Sequence, residues 1–399
     1  MTLLIDPPNS PGHGRLWSHL ASDTSYDELH SFAQGLGVPQ RGFDRDHYDI
    51  PAERYDAVVA AGAVPVSSRE LIDRLKAAGL RRRKPEALAP KKPGRSLIRA
   101  SRLKPGSTVA VVAPAGPVLA ERLERGLAVL RSWGLDITVA GHARGTDQRF
   151  GYLAADDVAR ARDLARAWSD PDVAAVFCAR GGYGVQRMVD LLDWKSLAAA
   201  GPKALVGFSD ITALHQAFAA RLGLSTIHGP VVTSLGSGDE ASRAHLRSML
   251  FEPTPGTSLT PTPARPLAPG RAEGVLVGGN LALLAAEVGT RNSLRAAGSI
   301  VVLEDVGEEI FRLDRLLTQL LRSGWFDGAQ GIVLGHFAQC ASPEAVQDLM
   351  TDRLVPLGLP TVIGAPFGHG ERNLAFPFGV PAVLDADAGT LVLREPALV

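Results

Sequence analysis

Cysteine is scarce in this chain of 399 residues, which limits the classes of protein to which it can belong. Cys178 and Cys340 stand alone, and neither forms a Cys-x-x-Cys pair, which argues against a disulfide framework or a structural zinc. There is no run of about 18 apolar residues, and no basic segment followed by an apolar core opens the chain. We therefore expect a soluble, cytoplasmic protein.

An excess of charge of either sign is also missing. The 42 basic and 42 acidic residues balance to a formal net charge of zero. Proteins that bind nucleic acid or an anionic membrane usually carry a basic surface, so we expect neither partner. The basic runs Arg81–Lys84 and Lys91–Lys92 flank prolines, and we interpret them as a solvated linker.

Short β-rich runs alternate with amphipathic helices from residue 102 onward. This alternation predicts an α/β fold with a doubly wound parallel sheet, which places functional loops at the carboxyl ends of its strands. The strands expected between residues 102 and 235 are Thr108–Val112, Asp136–Val139, Val173–Cys178, Ala204–Phe208 and Ser225–Ile227. A second set consists of the strands Val275–Val277, Ile300–Leu303, Ile332–Leu334 and Thr361–Ile363, a helix at about Phe311–Leu321 and a hairpin turning near Ala388–Gly389.

Composition divides the chain into five parts. Residues 1–83 hold four of the ten histidines and form a small α/β domain, and the Pro- and Lys-rich residues 84–101 are a linker. Residues 102–235 are the first large α/β domain. Residues 236–272, rich in Pro, Gly, Ser and Thr without a clear period, are an inter-domain loop. Residues 273–399 are the C-terminal α/β domain.

A serine stands where a predicted strand gives way to a helix, in the segment Gly207-Phe208-Ser209-Asp210. Such a turn exposes the hydroxyl at the sheet edge, and the helix N-terminus supplies unpaired N–H groups that favour an oxyanion. The alternative is that Ser209 or Asp210 only caps the helix. Ile211 stands where G-x-S-x-G requires its second glycine, so a standard α/β-hydrolase turn is a poor match.

A glycine-rich loop, ARGGYG at residues 179–184, follows a predicted strand and would reach the same sheet edge as Ser209. Glycines let the backbone approach a ligand closely, and the loop amides could complete an oxyanion hole. A phosphate-binding loop is the alternative. However, neither this segment nor Pro114–Pro117 matches G-x-G-x-x-G or the P-loop pattern.

A serine nucleophile needs a base, and the base usually needs an acid to orient it. His369 stands out because it lies in a glycine-flanked loop, and Glu304 ends the strand Ile300–Leu303, but each residue alone is compatible with a structural role. The histidines at or near predicted strand ends are His142, His228, His336 and His369, and the carboxylates cluster at Glu304-Asp305 and Glu308-Glu309.

Taken together, eight segments resemble the LD-carboxypeptidase family of serine peptidases. They follow the family's order over about residues 102–399, and this ordered set is far more specific than any one segment. The segments are VAVVAPAGP, ARGGYG, GFSDITALH, STIHGP, GGNLALL, VVLEDVGE, RLDRLLTQL and PFGHGERNLAFPFG.

The resemblance implies a Ser–His–Glu triad. Ser209 would be the nucleophile, His369 the base and Glu304 the acid that orients the base. The backbone amides of Gly182 and Asp210 would form the oxyanion hole. No metal and no cofactor is expected for this chemistry.

Members of this family release the terminal D-alanine from an L,D-peptide bond of murein tetrapeptides during cell-wall recycling. The implied substrate is such a peptide, free or as a muropeptide or nucleotide conjugate, and the family often forms homodimers. Arg180 is a candidate for binding the terminal carboxylate of the substrate, unless it pairs with a structural carboxylate. His228 lies in a matching segment, where it would be a structural or pocket residue.

Two other functions stay open. Related immunity hydrolases cut peptide–nucleotide antibiotics and carry a tryptophan-bearing loop that stacks on a base. Residues 236–272 contain neither tryptophan nor tyrosine and only Phe251, which disfavours this substrate. The other alternative is a non-catalytic binding protein whose N-terminal domain is its functional part.

Residues 3–80 resemble a small bacterial domain family of unknown function, through the segments DPPNSPGHGRLWSHL, SDTSYDELHSFA, RGFDRDHYDIPAERYD and VPVSSREL. Four of its residues could bind a metal or a phosphate, although their spacing matches no recognised ligand pattern, and we favour a structural role. These residues are His13, Asp23, His47 and Asp49.

Overall fold

The protein is described by a computed structural model in which two compact units, Met1–Ala89 and Pro90–Val399, each enclose hydrophobic clusters of their own. The basic residues at 82–84 and 91–92 lie outside the described residues. In the part of the chain that is described, no helix is long and apolar enough to cross a membrane. The described residues are 2–12, 15–39, 42–44, 46–81 and 96–399.

The N-terminal unit is built on a six-stranded sheet. Its elements are β1 (Leu3–Ile5), β2 (Ser10–Gly12), β3 (Arg15–Ser22), α1 (Tyr26–Gly35), β4 (Phe43–Asp44), β5 (His47–Pro51), α2 (Tyr55–Ala60), β6 (Val64–Pro65) and α3 (Ser68–Ala77). The strand order is β4-β5-β3-β1-β6, with β2 paired to β3, and only β1 and β6 run parallel among these described pairs. Side chains alternate along β5, so Tyr48 and Ile50 enter the core while His47 and Asp49 lie on the other face.

The first sheet of the larger unit carries Ser209 at the end of a central strand. Its elements are β7 (Thr108–Val112), α4 (Ala120–Ser132), β8 (Asp136–Val139), α5 (Asp157–Ser169), β9 (Val173–Cys178), α6 (Val185–Met188), α7 (Trp194–Ala199), β10 (Ala204–Gly207), α8 (Thr212–Leu222), β11 (Thr226–His228) and α9 (Val232–Leu235). The strands β11, β10, β9, β7 and β8 lie side by side in that order and run parallel. Apolar residues line both faces of β9 and β10, as expected for strands covered on both sides.

The second sheet of this unit carries Glu304. The other elements of the larger unit are α10 (Glu240–Phe251), β12 (Arg265–Ala268), β13 (Arg271–Asn280), α11 (Leu281–Glu287), β14 (Ser299–Val306), α12 (Ile310–Arg322), β15 (Gly331–Ala338), α13 (Pro343–Leu354), β16 (Thr361–Ile363), β17 (Phe376–Phe378), β18 (Pro381–Asp385) and β19 (Thr390–Leu393), and all of these strands except β17 belong to the second sheet. The strand order is β12-β16-β15-β14-β13-β18-β19, with β13 to β16 parallel and the outer strands antiparallel. The predicted α/β class, with parallel-sheet domains and a small N-terminal α/β domain, is confirmed.

The two sheets of the larger unit are joined by β17. The chain leaves the second sheet at the end of β16, passes through residues 364–375 and then pairs β17 antiparallel with β11 of the first sheet. The connecting loop therefore runs from one sheet to the other, and His369 lies within it.

The segment 236–272 is more ordered than its composition indicated. It contains α10 and β12, where we expected an inter-domain loop. The Asp239 carboxylate caps α10 by accepting the backbone N–H groups of Ala241 and Ser242, and Leu246 and Leu250 bury one face of the helix. The Pro- and Thr-rich residues after this helix obscured its period in the sequence.

The last residues of the expected linker also belong to the folded part of the larger unit. The Leu97 N–H donates to the Gly379 carbonyl at 3.0 Å, and the Ile98 N–H donates to the Gly223 carbonyl at 2.9 Å. Ala100 is buried. These contacts extend the folded unit several residues ahead of its first strand.

Candidate active site

Ser209 lies in a strained turn between β10 and α8. Its backbone φ is 68°, in the left-handed region that side chains other than glycine rarely adopt, and among the described non-glycine residues only Gln339 shares a positive φ. Such a conformation costs on the order of 1–3 kcal/mol and persists only where the surrounding fold imposes it. A strand–turn–helix geometry of this kind presents a serine hydroxyl outward from the sheet edge.

A chain of hydrogen bonds joins Ser209, His369 and Glu304. Nε2 of His369 lies 3.1 Å from Oγ of Ser209, and Nδ1 of His369 lies 2.7 Å from Oε2 of Glu304. The Glu304 side chain is fully buried, and its carboxylate favours the tautomer with the proton on Nδ1. Nε2 is then left to accept the hydroxyl proton of Ser209. The arrangement can therefore deprotonate the serine.

The three residues come from three separate places in the fold. Ser209 follows β10 of the first sheet, Glu304 lies in β14 of the second sheet, and His369 lies in the loop that connects the sheets. The ring of Phe208 packs against the His369 ring with centroids 4.8 Å apart, which limits its rotation.

Gly368 lets the histidine loop approach Glu304. Its φ is +93°, and a Cβ atom there would lie 2.3 Å from Oε2 and 2.7 Å from Cβ of Glu304. Any larger residue would push His369 away from its carboxylate partner. The Gly368 N–H also donates to the side-chain oxygen of Asn373 at 3.0 Å, which fixes the loop from its other side.

The ARGGYG loop lies directly against the serine. A Cβ atom on Gly181 would stand 2.8 Å from Cβ and 3.0 Å from Oγ of Ser209, so glycine alone fits there without movement. Gly182 follows with φ +108°, and the Gly181 carbonyl accepts the Gly116 N–H at 3.1 Å. The loop thereby brings Gly182, one of the two expected oxyanion residues, close to the serine turn.

Asp210, the other expected oxyanion residue, ties the serine turn to the same loop. Its buried carboxylate accepts the Val185 N–H at 2.8 Å, just beyond the last glycine of ARGGYG. Burial raises the pKa of Asp210 to about 6. The side chain is thus occupied in holding the loop, whereas the resemblance assigns oxyanion binding to its backbone amide.

Arg160 holds the ARGGYG loop in place through a hydrogen bond to its last residue, Gly184. The sequence analysis did not identify this residue. From α5 its buried guanidinium donates to the Gly184 carbonyl at 2.8 Å and the Ala155 carbonyl at 2.9 Å, and also to the Pro114 carbonyl and the Asp157 carboxylate. Burial lowers the pKa of Arg160. The sequence does contain a signal for this residue: Arg160 lies four residues before Leu164, and therefore on the apolar, buried face of the α5 helix.

Arg180, the second residue of this loop, is exposed to solvent. Its guanidinium donates to the Pro117 carbonyl at 2.8 Å, and no carboxylate in the described ranges forms an ion pair with it. It borders a cavity of about 540 Å³ together with Gly182, Tyr152 and Tyr183. Its assignment as the ligand of the substrate carboxylate stays a prediction.

A second cavity, of about 340 Å³, opens on the histidine side of the site. Phe208, Ser234, Asp239, Arg243 and His369 are among the residues that border it. A cavity of a few hundred Å³ that combines apolar and polar walls is typical of small-ligand sites.

The remaining candidate histidines lie in other surroundings, and neither ring nitrogen of His228 has a hydrogen-bond partner among the described residues. His142 pairs with Asp163 at 3.1 Å, and burial lowers the pKa of His336. His228 is fully buried and stacks on Phe376 at 4.4 Å, and burial lowers its pKa well below the usual value. Of the four candidates, His369 is the one that contacts Ser209.

The other candidate carboxylates serve the fold. Asp305 accepts the Asn280 side-chain amide and the Ala282 N–H, each at 2.9 Å, and burial raises its pKa to about 6. Glu308 lies 3.9 Å from Arg312, and Glu309 is the N-cap residue that immediately precedes α12.

Two of the four candidate ligands named in the N-terminal unit lie together in the structure. His13 lies outside the described residues, and Asp23 pairs with Arg74 at 2.5 Å. His47 and Asp49 do lie together, but their neighbour is His19, which the sequence analysis left out of the cluster.

Comparisons with known sequences cover both units. The LD-carboxypeptidase N-terminal domain matches residues 109–229, and the LD-carboxypeptidase C-terminal domain matches residues 273–384. Residues 3–78 match a protein domain of unknown function, DUF4031.

Related proteins align over most of the chain. A Streptomyces coelicolor protein, provisionally named as a carboxypeptidase, is 57% identical over 306 residues, which cover 76% of this chain and 98% of that protein. The murein tetrapeptide carboxypeptidase of Pseudomonas aeruginosa is 39% identical over 292 residues, covering 70% of this chain and 93% of that enzyme.

Solved structures share the fold. The muramoyltetrapeptide carboxypeptidase from Oxalobacter formigenes is 31% identical, with a TM-score of 0.62 over 71% of this chain and 97% of that one. MccF in complex with glutamyl sulfamoyl guanosine has a TM-score of 0.67 at 22% identity, over 75% of this chain and 99% of that one, which shows a common fold alone. With the matched domains and these identities together, the chain belongs to the LD-carboxypeptidase family.

Proposed function

We propose that the larger unit is a serine LD-carboxypeptidase that removes the terminal D-alanine of murein tetrapeptides. The observation that carries this proposal is the hydrogen-bond chain from Ser209 through His369 to the buried Glu304. Support for the substrate comes from the Pseudomonas aeruginosa and Oxalobacter formigenes proteins, whose names specify murein or muramoyl tetrapeptides. The cytoplasmic setting of cell-wall recycling belongs to the same proposal.

In the proposed mechanism, His369 takes the hydroxyl proton as Ser209 attacks the carbonyl carbon of the scissile bond. Glu304 holds the imidazole in position and stabilises the imidazolium that forms. The backbone amides of Gly182 and Asp210 stabilise the tetrahedral oxyanion, each by about 3–4 kcal/mol.

The same histidine then acts as the acid. It donates its proton to the amine of D-alanine as that amine leaves, and the peptide remains on Ser209 as an ester. Water enters, His369 removes its proton, and hydrolysis of the ester regenerates the free serine. The strained turn keeps Oγ beside Gly181 throughout, which limits the motion needed at either step.

The direct test is to incubate the full chain with a murein tetrapeptide and follow the product by mass spectrometry. We expect the loss of one alanine, with no loss in the matched Ser209→Ala protein. The free peptide, the muropeptide and the nucleotide-linked peptide should be compared at equal concentration. Unchanged tetrapeptide in all three forms would reject the proposed substrate.

A peptide–nucleotide conjugate is the competing substrate on this fold. Residues 236–272 contain neither tryptophan nor tyrosine, and a substantial part of the segment forms the helix α10, so no aromatic platform of that kind is available from it. Faster cleavage of a glutamyl or aspartyl sulfamoyl nucleoside than of the tetrapeptide would reverse our assignment. Cleavage of neither class would favour a non-catalytic binding protein.

A further inference from the structure

Strand pairing in the N-terminal unit gathers two histidines and a carboxylate on one face of the sheet. His19 of β3 stands directly opposite Asp49 of β5, and His47 precedes Asp49 by two residues on the same strand. Because side chains two apart point to the same side of a strand, all three lie on the face away from Tyr48 and Ile50. One ligand atom from each of the three lies within 4.8 Å of the other two.

Each histidine is held by a buried aspartate. Nδ1 of His19 lies 2.9 Å from Oδ2 of Asp6, which also accepts the His19 N–H at 2.6 Å through Oδ1. Nδ1 of His47 lies 2.7 Å from Oδ1 of Asp46. Both aspartates are 1% exposed. Carboxylates in these positions place the proton on Nδ1 and leave the lone pair on Nε2, as is usual for histidines that bind metals.

One of the two Nε2 atoms already lies close to the third group, Asp49. Nε2 of His47 lies 3.4 Å from Oδ1 of Asp49, and Nε2 of His19 has no hydrogen-bond partner among the residues described for this unit. Ligands bound at about 2.1 Å in a tetrahedral zinc site are separated by about 3.4 Å, so the observed pair already has the required spacing. The His19 and His47 rings meet edge to face with centroids 4.8 Å apart.

The site is accessible and its charges suit a cation. The exposed fractions of the His19, His47 and Asp49 side chains are 30%, 13% and 45%, so an ion can enter and keep positions open for water. Arg81 lies 3.1 Å from Asp46 and partly balances that buried carboxylate. Two imidazoles with one carboxylate favour first-row transition metals over Mg²⁺ or Ca²⁺, which prefer oxygen ligands alone.

We propose that His19, His47 and Asp49 form a binding site for a divalent transition-metal ion, Zn²⁺ in the first instance, with Asp6 and Asp46 orienting the two histidines. The site belongs wholly to the N-terminal unit and does not depend on the function proposed for the larger unit. Its open positions would hold water or an oxygen atom of a ligand.

The test uses the full chain, purified without a histidine tag and stripped with a chelator. Zn²⁺ binding is measured by calorimetry, and Co²⁺ binding by its visible absorption, which reports the coordination geometry. We expect one ion per chain at this site, and a loss of affinity of about 100-fold or more in His19→Ala, His47→Ala and Asp49→Asn. Asp6→Asn should weaken binding by about 10- to 100-fold, because it leaves the three ligands in place and alters the hydrogen bond that orients the His19 ring.

His30→Ala is the matched control. Nδ1 of His30 lies 2.9 Å from the Tyr48 hydroxyl, in the same unit but outside the cluster, so this variant should bind like the wild type. Asp49→Asn should perturb folding least, because it is isosteric and nearly half of the Asp49 side chain is exposed, and circular dichroism should verify the fold of each variant. Absence of binding in the wild type, or binding that survives His19→Ala and Asp49→Asn alike, would overturn the proposal.

Discussion

His369 in the larger unit and His19 in the smaller unit are held alike but face different groups. In each, Nδ1 lies within 3 Å of a buried carboxylate, from Glu304 or from Asp6. Nε2 of His369 meets a hydroxyl on a strained turn, whereas Nε2 of His19 shares its face of the sheet with a second imidazole and a carboxylate. In the two proposals above, the carboxylate orients the imidazole ring, and the group opposite Nε2 determines whether the histidine transfers a proton or binds a metal ion.

The largest expected effect is that of Ser209→Ala, which should abolish peptidase activity without changing Zn²⁺ binding. Ser209→Ala removes the group that His369 faces, and peptidase activity should fall by about 10⁶-fold in kcat, as for nucleophiles of other serine hydrolases. Zn²⁺ affinity should remain at the wild-type value. A Ser209→Ala protein that retains more than a hundredth of the activity would show that the tetrapeptide is cleaved elsewhere.

Glu304→Gln tests the carboxylate itself. The amide keeps the shape but can donate to Nδ1, which favours the tautomer with its proton on the wrong nitrogen, so kcat should fall by about 10⁴-fold. The parallel change Asp6→Asn should reduce Zn²⁺ affinity by a much smaller factor, because the bound metal ion itself helps to orient the His19 ring. Equal losses in the two sites would remove the distinction between them. Steady-state kinetics and calorimetry provide the two measurements.

A third histidine shows what happens without a carboxylate. His215 is fully buried, with Nδ1 2.8 Å from the Thr226 hydroxyl and Nε2 2.8 Å from the Gly207 carbonyl, and burial lowers its pKa to about 4. The unfolded chain, with an ordinary histidine pKa near 6.5, binds the proton more readily between pH 4 and 6.5. Folding stability from this residue is therefore complete above about pH 6.5 and is lost as the pH falls towards 4, by roughly 3 kcal/mol.

The measurement is chemical denaturation of the wild type and His215→Gln from pH 4 to pH 7. Other groups titrate in both proteins, so the difference between them isolates this histidine. The free energy of unfolding of the wild type should exceed that of His215→Gln at pH 7, and this difference should shrink as the pH falls. A constant difference across this range would mean that His215 keeps an ordinary pKa in the folded protein.

Many strands of the larger unit could be predicted from the sequence because they are short apolar runs that are covered on both faces of the sheet. Two of them, β9 and β16, begin and end at the predicted residues. Ser209 and His369 could be proposed because both lie in short glycine-containing segments next to strands. The helix α10 was missed because its period is brief and proline-rich sequence follows it. Asp6 and His19 were missed because sequence spacing does not reveal strand pairing, which places His19 opposite Asp49 and beside the Asp6 carboxylate.

The smallest expected effect concerns Arg160, which supports the loop beside Ser209 without contacting Ser209 directly. A lysine in its place keeps the charge but cannot span the carbonyls of Ala155 and Gly184 together, because its single ammonium lacks the planar fork of arginine. If the loop amide acts mainly in the transition state, kcat should fall about tenfold while KM stays nearly constant. Arg162→Lys, an exposed change on the same helix, should leave both constants unchanged. A lower melting temperature with normal kcat would show that Arg160 contributes only to folding. A selective loss of kcat would show that Arg160 positions the ARGGYG loop for catalysis, as Glu304 is proposed to position His369.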